Sequence, residues 1–215
     1  MKKTRYLVAL LFTGLIFVVG ILIGSRITTS HAEQIQQKIE DDLLEMQSLE
    51  LEMSLVREIN SSSLCNYIGY RLPEIIRKKV ELGRKFDVGD IPEDEAFVLK
   101  RQYVISLTKY WLFSEVNKRE CNINNPTILF FFNDYERSRE QGRILDYLVY
   151  RSNESITVFS FNMNWIDQPL VNLFMINYNV TEAPAVVLDG VKYYGVQSKE
   201  QMTKVLCANY NLSFC

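Results

Sequence analysis

N-V-T-E-A-P-A-V-V-L-D-G-V-K-Y-Y-G, residues 179–195, is the stretch from which the fold can be read. Two β-rich runs, Ala185 to Leu188 and Val191 to Tyr194, flank Asp189-Gly190. That dipeptide tolerates the positive φ angles of a tight two-residue turn, so the stretch predicts a β-hairpin. Pro184 opens the first strand, where a missing N–H costs no ladder hydrogen bond and a cis peptide bond can be accommodated. An apolar helical stretch, Ile166 to Tyr178, precedes the hairpin, and a short amphipathic helix, Ser198 to Cys207, follows it with Ser198 as N-cap.

Further upstream, Thr127 to Phe132 (T-I-L-F-F-F) reads as a fully apolar strand, Tyr135 to Arg151 as a helix and Ser155 to Phe161 (S-I-T-V-F-S-F) as a second strand. From Pro126 to Cys207 the order is β-α-β-α-β-β-α, with the first two strands buried and parallel because a helix crosses between them. This order, with Tyr178 to Gly190 as loop, proline, strand and turn, resembles a thioredoxin-like domain spanning residues 123–215. The resemblance implies a cis-proline loop at Ala183 and Pro184. It also implies a Cys-x-x-Cys redox motif just after the first strand, but that place is held by Asn133 to Arg139 (N-D-Y-E-R-S-R), with Glu136, Arg137, Ser138 and Arg139 at the degenerate motif. The fold is therefore expected without the activity, because the attacking and resolving thiolates have to be present. What the resemblance leaves is an extended-backbone platform beside the proline that contacts a polypeptide, edged here by Asp134, Tyr135, Glu136, Arg137 and Arg139.

Composition bounds the rest. A 215-residue chain with 47% hydrophobic and 12% aromatic residues has ample material for a packed core. A net charge of −2 supplies no basic field, which argues against a nucleic-acid partner. The one histidine, His31, lies outside the globular part, so no His-containing zinc cluster and no histidine-activated nucleophile is expected there. No metal, no cofactor and no catalytic residue is assigned.

Four cysteines, Cys65, Cys121, Cys207 and Cys215, form no Cys-x-x-Cys pair. Three connectivities are open to them; Cys65–Cys121 with Cys207–Cys215 is favoured because each bridge closes a local unit, and free thiols are the alternative.

At the N-terminus Lys2, Lys3 and Arg5 precede Tyr6 to Gly24, an uncharged stretch of 19 residues. At about 1.5 Å per residue it is long enough for the ~30 Å apolar layer of a membrane. Residues 1–26 are thus expected to be a cytoplasmic tip and single-pass signal anchor (residues 6–24), with everything beyond it extracytoplasmic. A cleaved signal peptide ending near Ser30-His31-Ala32 is the rival reading. Four N-x-[ST] sequons, at Asn60, Asn153, Asn179 and Asn211, fall in the exported part as candidate glycosylation sites.

Within residues 27–60, Ile35, Ile39, Leu43, Met46, Leu49, Met53 and Val56 recur at spacings of 3 and 4. This predicts an amphipathic, coiled-coil-like stalk through which residues 28–60 could form a homo-oligomer, or a helix lying on its own domain. Leu44, Leu51 and Leu55 widen the stripe. Residues 61–122 read as a helical insert or lid: a helix from Leu64 to Leu82 after a Ser61-Ser62-Ser63 cap, interrupted near Pro73; a connector from Gly83 to Gly89; and a helix from Asp90 to Arg119. The segment Tyr103 to Phe113 is apolar around most of its circumference, so burial on more than one side is expected.

Three functions follow in order of preference. The first is a membrane-anchored, redox-inactive, thioredoxin-like binding or scaffolding protein whose partner is another envelope protein or polypeptide. The second is an atypical thiol–disulfide oxidoreductase using Cys65/Cys121 or Cys207/Cys215. The third is an oligomeric envelope assembly subunit.

Overall fold

The computed structural model describes residues 13–21, 44, 47, 48, 50–52, 54, 55, 58–87 and 93–215. Two compact units divide the chain, Met1–Ile59 and Asn60–Cys215. In the first, residues 13–21 are helical and exposed, and Leu44, Leu51 and Leu55 are helical and exposed as well. Among the described residues no helix is long and apolar enough to cross a membrane. Residues 6–12 and 22–24 of the expected span lie outside the described residues, as does the Ile35-to-Val56 stripe of the expected stalk.

The second unit opens with α1 (Ser61–Asp87) and α2 (Glu93–Glu120). Here the expected boundaries need correction. Asn60, not the serine run, starts α1: its side-chain oxygen accepts the Ser63 N–H at 2.9 Å. The helix then continues through Pro73 and Gly83 instead of breaking at either. An interior proline costs roughly 3 kcal/mol. Against that cost, Leu64, Ile68, Ile75 and Leu82 recur at spacings of 4 and 7 and are all buried along one stripe, in a helix packed on α2. Each such side chain contributes about 1.5–3 kcal/mol, so packing outweighs the break.

In α2 no residue from Gln102 to Lys118 is exposed, in line with the burial on more than one side expected for Tyr103 to Phe113. One side faces α1, where Gly83 comes close enough that a side chain there would meet the Tyr103 ring at 3.5 Å. The other side delivers Val104 and Leu107 into the core of the sheet. The helix belongs to the helical region expected at residues 61–122, and through Val104 and Leu107 it also shares the core of the sheet.

The remaining elements are β1 (Thr127–Phe132), α3 (Glu136–Arg151), β2 (Thr157–Asn162), α4 (Pro169–Asn177), β3 (Ala185–Leu188), β4 (Val191–Tyr194) and α5 (Lys199–Asn209). They form one mixed sheet of order β2-β1-β3-β4. β1 and β2 are parallel, with Phe132 opposite Asn162; β1 and β3 are antiparallel, with Phe131 opposite Ala185; and β3 and β4 form the hairpin. Asp189 and Gly190 both take positive φ, 51° and 79°, as the turn demands. The β-strand period of 2 sorts the core. Leu129, Phe131, Phe159, Phe161, Ala185 and Val187 face α2 and α4, whereas Ile128, Phe130, Val186 and Leu188 face α3 and α5. The second strand is displaced from its expected bounds because Ile156, although buried, precedes the ladder. Ser198 caps α5 in a reciprocal capping box with Gln201.

Candidate functional site

Strand direction decides what meets at one end of the sheet. β1 and β2 end there and β3 begins there, so Asn133-Asp134, Asn162 to Asn164 and Ala183-Pro184 converge, with Tyr194-Gly195 closing the group from β4. The Ala183–Pro184 peptide bond is cis. Pro184 is buried, and its carbonyl accepts the Gly195 N–H at 2.8 Å. Among the described residues, nothing pairs with the N–H or the C=O of the half-buried Ala183.

Gly195 links this loop to the start of α3. It sits at φ 75°, and a Cβ there would lie 3.2 Å from Nη2 of Arg137. Gly195→Ala is expected to cost about 1 kcal/mol, chiefly from the left-handed backbone, since the guanidinium can move aside. Urea unfolding checks this; an unchanged midpoint would place the strain elsewhere.

The α3 N-terminus is held by local polar contacts. Tyr135 is the N-cap residue, extended and exposed, and offers no side-chain cap. Ser138 is buried: its hydroxyl donates to Oδ1 of Asn133 at 2.8 Å and accepts the Asn133 N–H at 3.1 Å. The Tyr135 N–H donates to the same Oδ1 at 3.2 Å. Ser138 thus has its proton committed to an amide oxygen, and no histidine is found among the described residues. Glu136, Arg137 and Arg139 stand exposed, and Glu136 pairs with Arg139 at 3.5 Å and with Arg143 at 3.1 Å. Such surface pairs contribute about 0–1 kcal/mol and position little.

Asn162 and Asn164 belong to this end of the domain and were not singled out by the sequence. The Asn164 side-chain amide donates to Oδ2 of Asp134 at 2.8 Å, the Asn162 amide lies 3.5 Å from Oδ1, and the Asn164 backbone N–H donates to Oδ1 of Asn162 at 2.9 Å. The two asparagines follow Asp134 by 28 and 30 positions, so only the parallel register brings them to it.

The cysteines lie at the other end. Cys65 is bonded to Cys121 and Cys207 to Cys215, with Cα separations of 5.6 and 5.5 Å. Close to both, Lys118, Asp189 and Tyr210 join α2, the hairpin turn and the C-terminal tail: the Tyr210 hydroxyl donates to Asp189 at 2.5 Å, and the Lys118 ammonium lies 3.2 Å from Tyr210 and 3.5 Å from Asp189. Burial raises the Tyr210 phenol above its ordinary value, and its bond to Asp189 adds to that rise. For Lys118 burial acts downward, but the Tyr210 bond and the Asp189 charge outweigh it and leave the ammonium raised. The Asp189 turn and Pro184 mark opposite ends of β3, so neither disulfide borders the platform.

Among the sequons, Asn60, Asn153, Asn179 and Asn211 are all exposed. The Asn179 carbonyl accepts from Tyr194 Oη at 3.0 Å and Lys192 Nζ at 3.2 Å, which places it beside β4. Among the described residues no group of three or more His, Cys, Asp or Glu side chains could hold a metal.

No family model matches the chain, and no curated protein matches it either. Solved structures are similar to part of it. A malarial protein is 13% identical over 41% of this chain and 100% of its own, with a TM-score of 0.35. Thioredoxin-2, described as a component of malaria parasite protein secretion machinery, is 12% identical over 39% of this chain and 82% of its own, with a TM-score of 0.34. Oxidised thioredoxin O2 from Arabidopsis thaliana is 16% identical over 42% and 79%, with a TM-score of 0.33. Likeness at this level carries no inference about activity. The class rests on the molecule itself: a mixed sheet of order β2-β1-β3-β4 with helices on both faces fits a thioredoxin-like domain.

Proposed function

We propose that the chain is a membrane-anchored, extracytoplasmic, thioredoxin-like binding protein that takes an extended polypeptide against the Ala183–Pro184 loop and does no thiol chemistry. The observation that carries this reading is the separation of its parts. All four cysteines are paired toward the hairpin-turn end of the sheet, while the Pro184 end presents free backbone at Ala183 and a Tyr135–Ser138 turn without a thiol. An extended segment pairing with the Ala183 N–H and C=O would add backbone hydrogen bonds, with Tyr135 and the charges around it giving selectivity. Support for the anchor comes from Lys2, Lys3 and Arg5 ahead of the uncharged run at residues 6–24.

The test uses the full chain in detergent. Non-reducing peptide mapping after thiol trapping is expected to find both bridges fully oxidised and inert toward a model disulfide in mild reductant. A panel of extended peptides is expected to contain binders whose affinity falls at least tenfold in Ala183→Pro, which removes the N–H donor, with the thermal midpoint unchanged. Exchange at either bridge would put the oxidoreductase reading first. Absence of any binding peptide would remove the platform reading.

A further inference from the structure

The first turn of α3 borders two places. Arg137 faces Gly195 and the Pro184 loop, whereas Ser138 and Arg139 line a groove of about 300 Å³ on the other side, between α3 and the edge strand β2. The groove exists because its walls are small where they could be large. Gly142 forms part of one wall and Ser160 part of the other. Its floor is aromatic: Phe130 and Phe132 stack with centroids 5.6 Å apart, beside Val158.

Two carboxylates, Asp134 and Asp146, stand on the rim, with Arg139 as the single cation among the lining residues. Arg139 is already engaged by Glu136 on the outer face of the helix. Asp134 is held by neutral amide donors from Asn164 and Asn162, which fix its position and leave its charge uncompensated. Asp146 is different: partial burial holds its carboxyl above the usual carboxylate range, with the Lys79 charge acting against that rise. The groove therefore offers an aromatic floor, an oriented anionic end at Asp134 and no competing free cation among its lining residues.

We propose that this groove holds a lysine or arginine side chain of the bound polypeptide, its methylene stem on the Phe130–Phe132 rings and its cation at the Asp134 carboxylate. A long basic side chain fits because its stem is apolar and its head is charged, and because ring faces attract a cation. The inference rests on the platform reading for the rest of the polypeptide, but not for the groove, which small probes test alone.

The probes are Nα-acetyl-lysine amide, Nα-acetyl-norleucine amide and Nα-acetyl-glutamate amide, titrated into the full chain in detergent while the Gly142 and Ser160 amide resonances are followed. The lysine probe is expected to shift both and to bind at least tenfold more tightly than the norleucine probe. Asp134→Asn is expected to abolish that tenfold preference, and Gly142→Leu, which fills the groove from a half-buried helix position in ordinary contact range of the Phe130 ring, to abolish the shifts. Equal binding of norleucine, tighter binding of glutamate, or no shift with any probe overturns the groove. The platform fails separately: if the lysine probe binds as stated but no peptide does, the groove stands and the platform reading falls. Peptide binding that is indifferent to both Asp134→Asn and Gly142→Leu overturns the groove and leaves the platform.

Discussion

Replacing both Cys65 and Cys121 by serine is expected to cost about 4 kcal/mol of folding stability, the loop-entropy value for a bridge of this span. The two residues are separated by 56 positions and join the second turn of α1 to the residue after α2. Without the bridge, the unfolded chain regains the freedom of that whole helical pair. The bridge also holds α1 in register on α2, where Leu64 and Ile68 lie buried beside it. Most domains are stable by only about 5–15 kcal/mol, so the variant should lose a large share of its margin. Urea unfolding followed by both circular dichroism and tryptophan fluorescence measures this, and coincident transitions license the comparison. A loss below about 1 kcal/mol would mean that the helical pair is held without its covalent tie. Removing Cys207–Cys215, whose span is 8 positions, should cost less by the same reasoning.

The second large effect is expected in the aromatic core. Phe161 is 1% exposed, 4.4 Å from the Phe174 ring and 5.7 Å from Phe131, in a row that joins β1, β2 and α4. Phe161→Ala is expected to destabilise the domain by about 4 kcal/mol, since lost transfer energy and the remaining cavity add. Trp111 packs edge-on to Phe174 at 4.9 Å, so its fluorescence should report the loosened core directly. Phe132 is a useful contrast: it is only half-buried at the groove, and Phe132→Ala should cost clearly less. Equal losses at the two positions would mean that the core does not lie where the α4 face of the sheet puts it.

These two effects also show where reading from sequence reaches its limit. Among three connectivities, Cys65 with Cys121 is favoured from sequence because the bridge closes a local unit, and the structure joins those two residues. The role of α2 was not legible to the same degree. Its all-round apolar centre announced burial on several sides, but nothing local says that Val104 and Leu107 are part of the same core as Phe131 and Phe161. The same limit applies at the Pro184 end. Ser138 reads from sequence as a polar residue of a charged helix start, and only its Asn133 partners turn it into a buried structural hydroxyl.

By itself, the sequence determined the local conformations. Thr127–Phe132, Ala185–Leu188 and Val191–Tyr194 are strands at the bounds their composition implies, Asp189-Gly190 is a turn because those two residues accept positive φ, and Ser198 starts a helix because its hydroxyl can take up an otherwise unpartnered N–H. Only the tertiary structure decided the continuity of α1 through Pro73, the placement of α2 against the sheet, the clustering of Asp134 with Asn162 and Asn164, and the groove behind α3. The physical reason is the range of the forces involved. Backbone preference and hydrophobic period act over a few neighbouring residues, whereas these features depend on side chains brought together from distant positions, where the gain from packing exceeds the local cost.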